Sequence, residues 1–319
     1  MRLREMPAER YAREVLPLTA PLWAGRRTFD EYVAQTLEIA HGKYGRRHYR
    51  TLGLYDGPHL VASCKRYERT VRDGARRLRA IGFGAVYTFP EYRGRGYASV
   101  MLATELDAAR RDGCALGFLF SDIRPQFYAT LGFRELPSRS ITLAADALPS
   151  RRLALAPAGE EHWRAIRHCF ELGERARSTG FARTPTVWDW VAMRARHGSE
   201  HSEGHAVNLV LRRSRGVCAY VFGVRVPERD TYVVDEFGFA DGAAAETVPA
   251  LLRAAAGDLR RVTGWLPPGG ARELLPKGVT RKRRASIFMI APLLPEGGRL
   301  LETISRPSAP DFCWATDHL

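Results

Sequence analysis

The sequence predicts an α+β chain of two successive units, residues 1–145 and 153–319, joined by a linker at 146–152. Three observations predict it. At 319 residues the chain exceeds what one hydrophobic core usually organises. In the first half, strand-like segments and two amphipathic helices lead through a glycine-rich turn into a third helix. The second half then repeats that rhythm of patterns.

Leu3 to Met6 reads as a first strand, and Ala8 to Trp23 as a helix. A second helix spans Thr28 to Ala40, with Thr28 as N-cap, Glu31 three residues on, and an apolar stripe of Phe29, Tyr32, Val33, Leu37 and Ala40. His48 to Tyr55 and Leu60 to Tyr67 are strands around a turn at Asp56-Gly57-Pro58, and Arg77 to Tyr87 is a third. After Pro90 comes Arg93-Gly94-Arg95-Gly96-Tyr97-Ala98, which opens a helix whose Ala98, Leu102, Leu106 and Ala109 share one face and which stops at Gly113. Strand, glycine-rich turn and helix N-terminus in this order make an anion site, because the first amides of the helix have no internal partner. Gly94 and Gly96 allow close backbone approach, and Arg93 and Arg95 add charge. The turn lacks the GKS/GKT ending of a nucleotide phosphate loop and the acid that follows a dinucleotide fingerprint.

What the turn resembles is the cofactor loop of GCN5-related N-acetyltransferases, R/Q-x-x-G-x-G/A, with Arg93, Gly96 and Ala98 at the fixed positions. A strand at Cys114 to Phe120 follows, and then Tyr128 to Phe133 matches that family's Y-x-x-x-G-F. The resemblance implies a mixed, mostly antiparallel central sheet flanked by helices over residues 1–145, closing with a strand at Ser140 to Leu143. It implies acetyl-CoA as cofactor, with the backbone of Val86, Tyr87 and Thr88 along the pantetheine arm and Arg93, Gly94, Arg95, Gly96, Tyr97, Ala98 and Ser99 around the pyrophosphate. Tyr128 matches the tyrosine that protonates the departing thiolate, a sensible role for a phenol with an ordinary value near 10. The family's usual fourth-strand carboxylate has no counterpart in Leu78 to Tyr87, which leaves Asp122 as the first choice of base. An Asx turn or helix cap before Arg124-Pro125 is an equal alternative for Asp122. Glu68 and Glu91 are weaker candidates. Phe120-Ser121-Asp122-Ile123 is similar to a stretch in lysine acetyltransferases of fungal type. Some two-domain relatives bring the tail of the chain into the site, which draws attention to Asp317, His318 and the carboxylate after them, although packing alone would also account for this aromatic end.

In the second half, Leu153 to Leu155, Val207 to Leu211, Val217 to Val226 and Tyr232 to Phe239 read as strands. Glu160 to Arg175, Pro185 to Arg196 and Ala244 to Arg261 read as helices. The loop Ala240-Asp241-Gly242-Ala243 stands where the cofactor turn would be, but it has an acid and no arginine. A degenerate copy without cofactor and an unrelated α+β unit both fit this pattern.

Apolar residues make up 45% and charged residues 26%, as in an ordinary globular protein. MRLREMPAERYAREV has no apolar core, and no run is long enough to span a bilayer. Five scattered cysteines read as free thiols, so a cytoplasmic location is expected. A net charge of +14 and a pI near 10.0 invite a nucleic-acid partner. Against it, all but Lys43, Lys65, Lys277 and Lys282 of the 49 basic residues are arginine, a bias that suggests GC-rich coding, and they are spread along the chain. The one dense run, Lys277 to Arg284, reads as a solvated loop. His197, His201 and His205 stand four apart, but the glycines and serines among them argue for a loop, and no metal is expected. The expectation is an acetyl-CoA-dependent N-acetyltransferase acting on a small-molecule amine, such as an amino acid or an aminoglycoside-like amine. An RNA- or protein-directed acetyltransferase and a non-catalytic acyl-CoA sensor are the rivals.

Overall fold

A computed structural model describes residues 1–197, 204–214, 216–240, 244–306 and 308–319. The first half runs β1 (Arg2–Met6), α1 (Ala8–Glu14), α2 (Leu16–Trp23), α3 (Phe29–His41), α4 (Lys43–His48), β2 (Tyr49–Asp56), β3 (His59–Asp73), β4 (Arg76–Thr88), α5 (Tyr97–Arg111), β5 (Leu116–Ser121), α6 (Pro125–Ala129), β6 (Arg134–Glu135) and β7 (Arg139–Ala144). The single helix expected over 8–23 is two, broken at Val15, because Pro17 cannot donate a backbone hydrogen bond to the turn before it and instead sits in the first turn of α2. Thr28 caps α3 in a full capping box: Glu31 donates its amide to Thr28 Oγ1 at 3.2 Å, and Glu31 Oε2 accepts from the Thr28 amide at 2.8 Å.

The second half runs β8 (Leu155–Pro157), α7 (Trp163–Glu174), β9 (Thr179–Ala182), α8 (Pro185–His197), β10 (His205–Ala206), β11 (Leu209–Arg213), β12 (Gly216–Val226), β13 (Thr231–Phe239), α9 (Ala244–Ala256), β14 (Arg261–Trp265), β15 (Val279–Lys282), β16 (Ile287–Pro292) and α10 (Pro295–Ile304). Two sheets result. The first has the order β1-β2-β3-β4-β5-β16-β6, and the second β8-β11-β12-β13-β14-β7-β15. Along these paths only β4–β5 and β13–β14 are parallel, and each of those pairs is bridged by a helix, α5 or α9. Position for position, the second sheet repeats the first, and the tandem fold of the two halves follows from that.

The sixth strand of each sheet comes from the other half. This corrects the expectation that Ser140 to Leu143 closes the first unit: β7 pairs with β14 and β15, and its Ile141 and Leu143 enter the core of the second half. In return β16 pairs with β5 and β6. Its IFMIAP sequence is apolar on both faces and suits a place buried on both sides: Ile287 and Met289 face one core, Phe288 and Ile290 another. Leu148, inside the expected linker, is buried in the second core. Val279 to Lys282 form an exposed edge strand rather than the expected loop, with charges that discourage further pairing. Arg283 turns inward, 3.5 Å over the Trp265 ring, and burial pulls its guanidinium down to about 10.

The tail is tied down by a buried ionic network. Arg183 forms a double ion pair with Glu236, and Asp317 accepts from Arg69 at 3.1 Å and from Arg183 at 3.2 Å. Burial raises the Asp317 carboxyl, but Arg183 and Arg69 more than offset it and hold it below the usual carboxylate range. No helix among the described residues is long and apolar enough to cross a membrane.

Candidate active site

The site is built where two parallel strands part. β4 and β5 pair from Ala80/Leu116 to Phe83/Leu119 and no further. On the other side of β4 the ladder to β3 slips: Tyr87 stands opposite Ser63 and Gly84 opposite Lys65, so Ala85 and Val86 together face Cys64. This is a bulge, and Ala85 adopts φ 48°, the left-handed region that costs a non-glycine residue about 1–2 kcal/mol. The extra residue turns the end of β4 away from β5 and leaves a gap between them. Two cavities meet in that gap, both touching Phe83, Gly84, Ala85, Phe120, Asp122 and Ile123.

The first cavity, about 630 Å³, is bounded by Val86, Tyr87 and Thr88 on β4 and by Arg93, Gly94, Gly96, Tyr97, Ala98 and Ser99 around the start of α5. Arg95 is outside it, 5.8 Å over the Tyr92 ring at the lip. Gly94 and Gly96 have φ 78° and 77°, and a Cβ on either would meet nothing within 4 Å. Backbone conformation, not crowding, therefore selects glycine there. Gly96 is the N-cap of α5 and no side chain caps the helix, so its first-turn amides are left to a ligand. Arg93 donates to the Thr88 carbonyl at 3.2 Å, which braces the turn against β4. Tyr97 donates to Asp56 Oδ2 at 2.8 Å.

Tyr128 lines the same cavity from α6, edge-on to Phe127 and Phe133. Burial, aided by the nearby Asp122 charge, pushes its phenol up to about 12. That is well above the value near 10 assumed from the sequence, so the phenol holds its proton throughout the working range. Asp122 touches both cavities, and its Oδ1 accepts from the Ser286 amide at 2.9 Å and from Ser286 Oγ at 3.0 Å. Its partner is therefore the residue before β16, not the Arg124-Pro125 turn, and no side chain caps α6. Glu68 pairs with Arg66 at 3.0 Å and lines neither cavity, and Glu91 also lines neither.

The second cavity, about 690 Å³, has walls from α2, α3, β3, the second half and the tail. Arg229 and Ala285 reach it from the second half, and His318 and Leu319 from the tail. Gly82 and Gly84 make room for the last residue: a Cβ on Gly82 would sit 2.5 Å from Leu319 Cδ1. The His318 ring packs 4.9 Å from Phe120. Asp317, locked in the buried network, does not line the cavity.

Sequence reasoning missed Ala85, Lys65, Tyr67 and the α2–α3 corner. Nothing local marks Ala85. Lys65 did carry a signal, since it shares strand parity with Val61, Ser63 and Tyr67 and so belongs to an otherwise inward face. Asp241, Gly242 and Ala243 of the second-half loop, and His201 of the histidine trio, lie outside the described residues.

Residues 23–136 match the family model for an acetyltransferase (GNAT) domain. No curated protein sequence matches the chain. Among solved structures, a GCN5-related N-acetyltransferase from Kribbella flavida superposes with a TM-score of 0.66 at 20% identity, covering 92% of this chain and 72% of its own. A tandem GNAT protein from the clavulanic acid biosynthesis pathway has a TM-score of 0.54 at 13% identity, over 92% of this chain and 99% of its own. Saccharomyces cerevisiae N-myristoyltransferase with bound myristoyl-CoA has a TM-score of 0.54 at 8% identity, over 91% and 82%. The narrower likeness to fungal-type lysine acetyltransferases has no counterpart in these three. The chain thus has the tandem GNAT fold, and in residues 23–136 it carries an acetyltransferase domain of the GCN5-related superfamily.

Proposed function

We propose that this protein transfers the acetyl group of acetyl-CoA to a primary amine of a small molecule, by direct attack and without a covalent enzyme intermediate. The observation that carries the reading is the meeting of two cavities at the β4–β5 gap, one bounded by the uncapped α5 and Tyr128, the other by α2, α3, β3 and a few residues of the second half. Acetyl rather than a longer acyl group rests on the domain match alone.

The residues of the first cavity fit such a cofactor. The open first-turn amides of α5, with Gly94 and Gly96 in left-handed conformations and Arg93 beside them, suit a pyrophosphate. Val86, Tyr87 and Thr88 offer a strand edge to the pantetheine arm. Acetyl-CoA would supply an acetyl group already activated as a thioester. The bulge at Ala85–Val86 leaves one residue of β4 outside the β3–β4 ladder beside the gap, and a backbone amide freed there would serve as a donor to the thioester carbonyl. Asp122 takes a proton from the acceptor ammonium, directly or through water, so that the amine lone pair is free to form the C–N bond. As the C–S bond breaks, Tyr128 Oη would give its proton to the sulfur, and the second proton of the attacking nitrogen would return to the phenolate through water, which restores the acid. Cys64 is no competing nucleophile: it is fully buried in the apolar core behind the bulge, and burial pushes its thiol far up.

Residues 1–145 would carry the chemistry, and residues 153–319, without a cofactor of their own, would wall the acceptor side through Arg229 and Ala285. A concave acceptor cavity of about 690 Å³ suits a small molecule, and its presence speaks against a mere sensor. A thioester-consumption screen across amino acids, polyamines, aminoglycosides and peptides tests this. Amine-dependent release of free thiol with an N-acetylated product is expected. Tight acetyl-CoA binding without turnover on any amine would make the protein a sensor instead.

A further inference from the structure

We propose that Arg69, Arg183, Glu236 and Asp317 are positioning residues for the acceptor cavity. They clasp the tail at the second half's own strand gap and thereby fix Leu319 in the wall of that cavity. That an amine binds in the cavity rests on the acetyl-transfer reading; the clasp itself does not.

The second sheet repeats the gap of the first. β13 and β14 pair from Thr231/Arg261 to Val234/Gly264 and no further. Beyond that point the β12–β13 ladder slips: Gly223 stands opposite Val234 and Phe222 opposite Glu236, so Asp235 is the extra residue of a second bulge. Trp265 follows the last parallel pair here as Phe120 does in the first half. The chain's own tail lies against this second gap. Thr316 donates to Glu236, and the Trp314 ring stands 4.9 Å from Phe237. The His318 ring then packs 5.8 Å from Trp265 and 4.9 Å from Phe120, so the tail runs from one gap to the other.

The cluster joins three parts of the chain: Arg69 on β3, Arg183 and Glu236 in the second half, and Asp317 on the tail. Every one of these side chains is at most 4% exposed. Asp317 is fully engaged, because Oδ1 accepts from Arg69 and Arg183 while Oδ2 accepts from the Trp314 amide at 3.2 Å. Arg183 also donates to Thr316 Oγ1 at 2.8 Å. Burying four charges costs about as much as pairing them returns, so well-packed apolar side chains would hold a tail as firmly. What the charges add is register: a carboxylate between two guanidinium groups has one place, whereas apolar contacts tolerate sliding.

That register decides where the chain ends. Two residues past Asp317, Leu319 lies over Gly82 and Gly84, where added Cβ atoms would stand 2.5 Å from its Cδ1 and 3.6 Å from its Cβ. Gly84 adjoins the bulge at the first gap. His318 and Leu319 line the acceptor cavity and do not line the cofactor cavity. A slipped tail would therefore reshape the amine's wall and leave the acetyl-CoA side as it is.

Asp317→Asn tests this with the fastest amine of the thioester-consumption screen. The variant should lose about 10- to 100-fold in kcat/KM for the amine, chiefly through KM, with the KM for acetyl-CoA unchanged. Thr316→Val, which leaves every charge in place, should move the same parameter less, and it decides the matter if Asp317→Asn fails to fold. Leu319→Gly should raise the amine KM by itself. Combined with Asp317→Asn it should do no worse than the worse single variant, because the clasp acts through the chain end. Carboxypeptidase Y should release Leu319 and His318 from Asp317→Asn at least about 10-fold faster than from the wild type, well below the melting temperature. An unchanged amine KM, equal losses for amine and acetyl-CoA, multiplied effects in the double variant, or equal release by the protease overturns the inference and leaves acetyl transfer standing. Turnover of no amine overturns acetyl transfer, and the protease result then judges the clasp by itself.

Discussion

Tyr128→Phe removes one oxygen and keeps the ring that packs on Phe127 and Phe133, so the fold and the cofactor cavity should survive. The structure sets the size of the effect. Burial pushes the phenol up to about 12, while a departing thiol has an ordinary value of about 8.5. Handing a proton from the one to the other is therefore uphill by roughly 3–4 units, about 5 kcal/mol at 1.36 kcal/mol per unit, unless charge develops on the sulfur first. A donor so mismatched belongs at the lower end of what general acids contribute, and a fall in kcat of about 100-fold is expected. Because the phenol stays neutral up to about 12, it should add no alkaline limb below that pH. The variant's rate profile should be displaced downward without a change of shape. Stopped-flow or steady-state thiol release between pH 6 and about 10 measures this. Unchanged turnover, or the loss of an alkaline limb on mutation, would refute the reasoning.

Asp122→Asn keeps an acceptor for Ser286 and removes only the charge, so the melting temperature should hardly move while turnover falls and partly recovers at high pH. A variant that loses stability and shows no recovery would make Asp122 an anchor alone. Arg183→Ala strands Glu236 and Asp317 in the interior and should cost about 3–5 kcal/mol by urea denaturation; a change under 1 kcal/mol would mean that the network contributes little. Burial raises the phenols of Tyr11, Tyr44, Tyr49, Tyr220 and Tyr232. The unfolded chain ionises them near 10 while the folded one holds their protons, so stability should be intact below pH 10 and fall above it. Each contributes up to about 1.4 kcal/mol per pH unit, and denaturant midpoints that stay flat from pH 9 to 11 would contradict this.

The geometry of the glycine turn was legible because it is local. Two left-handed glycines, an uncapped helix and a flanking arginine all lie within Arg93–Ala98, and neighbouring residues alone dictate that geometry. Asp122 was half legible: its position past β5 could be read, but its partner Ser286 lies on the far half of the chain. The strand exchange was hidden for the same reason. β7 alternates as well in either sheet, and only the two-sided apolar demand of β16 decides which strand goes where. The acceptor cavity needed three distant segments to meet around Lys65, and no spacing in the sequence records that. Ala85 had no signal at all, since its strain comes from the ladder on one side and the splay on the other.

Calorimetric titration of acetyl-CoA, into the wild type and into Gly96→Glu, tests the central claim most directly. A Cβ on Gly96 meets nothing within 4 Å, and its left-handed backbone costs on the order of 1–2 kcal/mol. The carboxylate would then occupy the place of the pyrophosphate at the start of α5. One molecule bound per chain, with binding lost in a variant that still melts cooperatively, is the expected result. Two molecules per chain, or undiminished affinity in a folded Gly96→Glu, would contradict the assignment of the site.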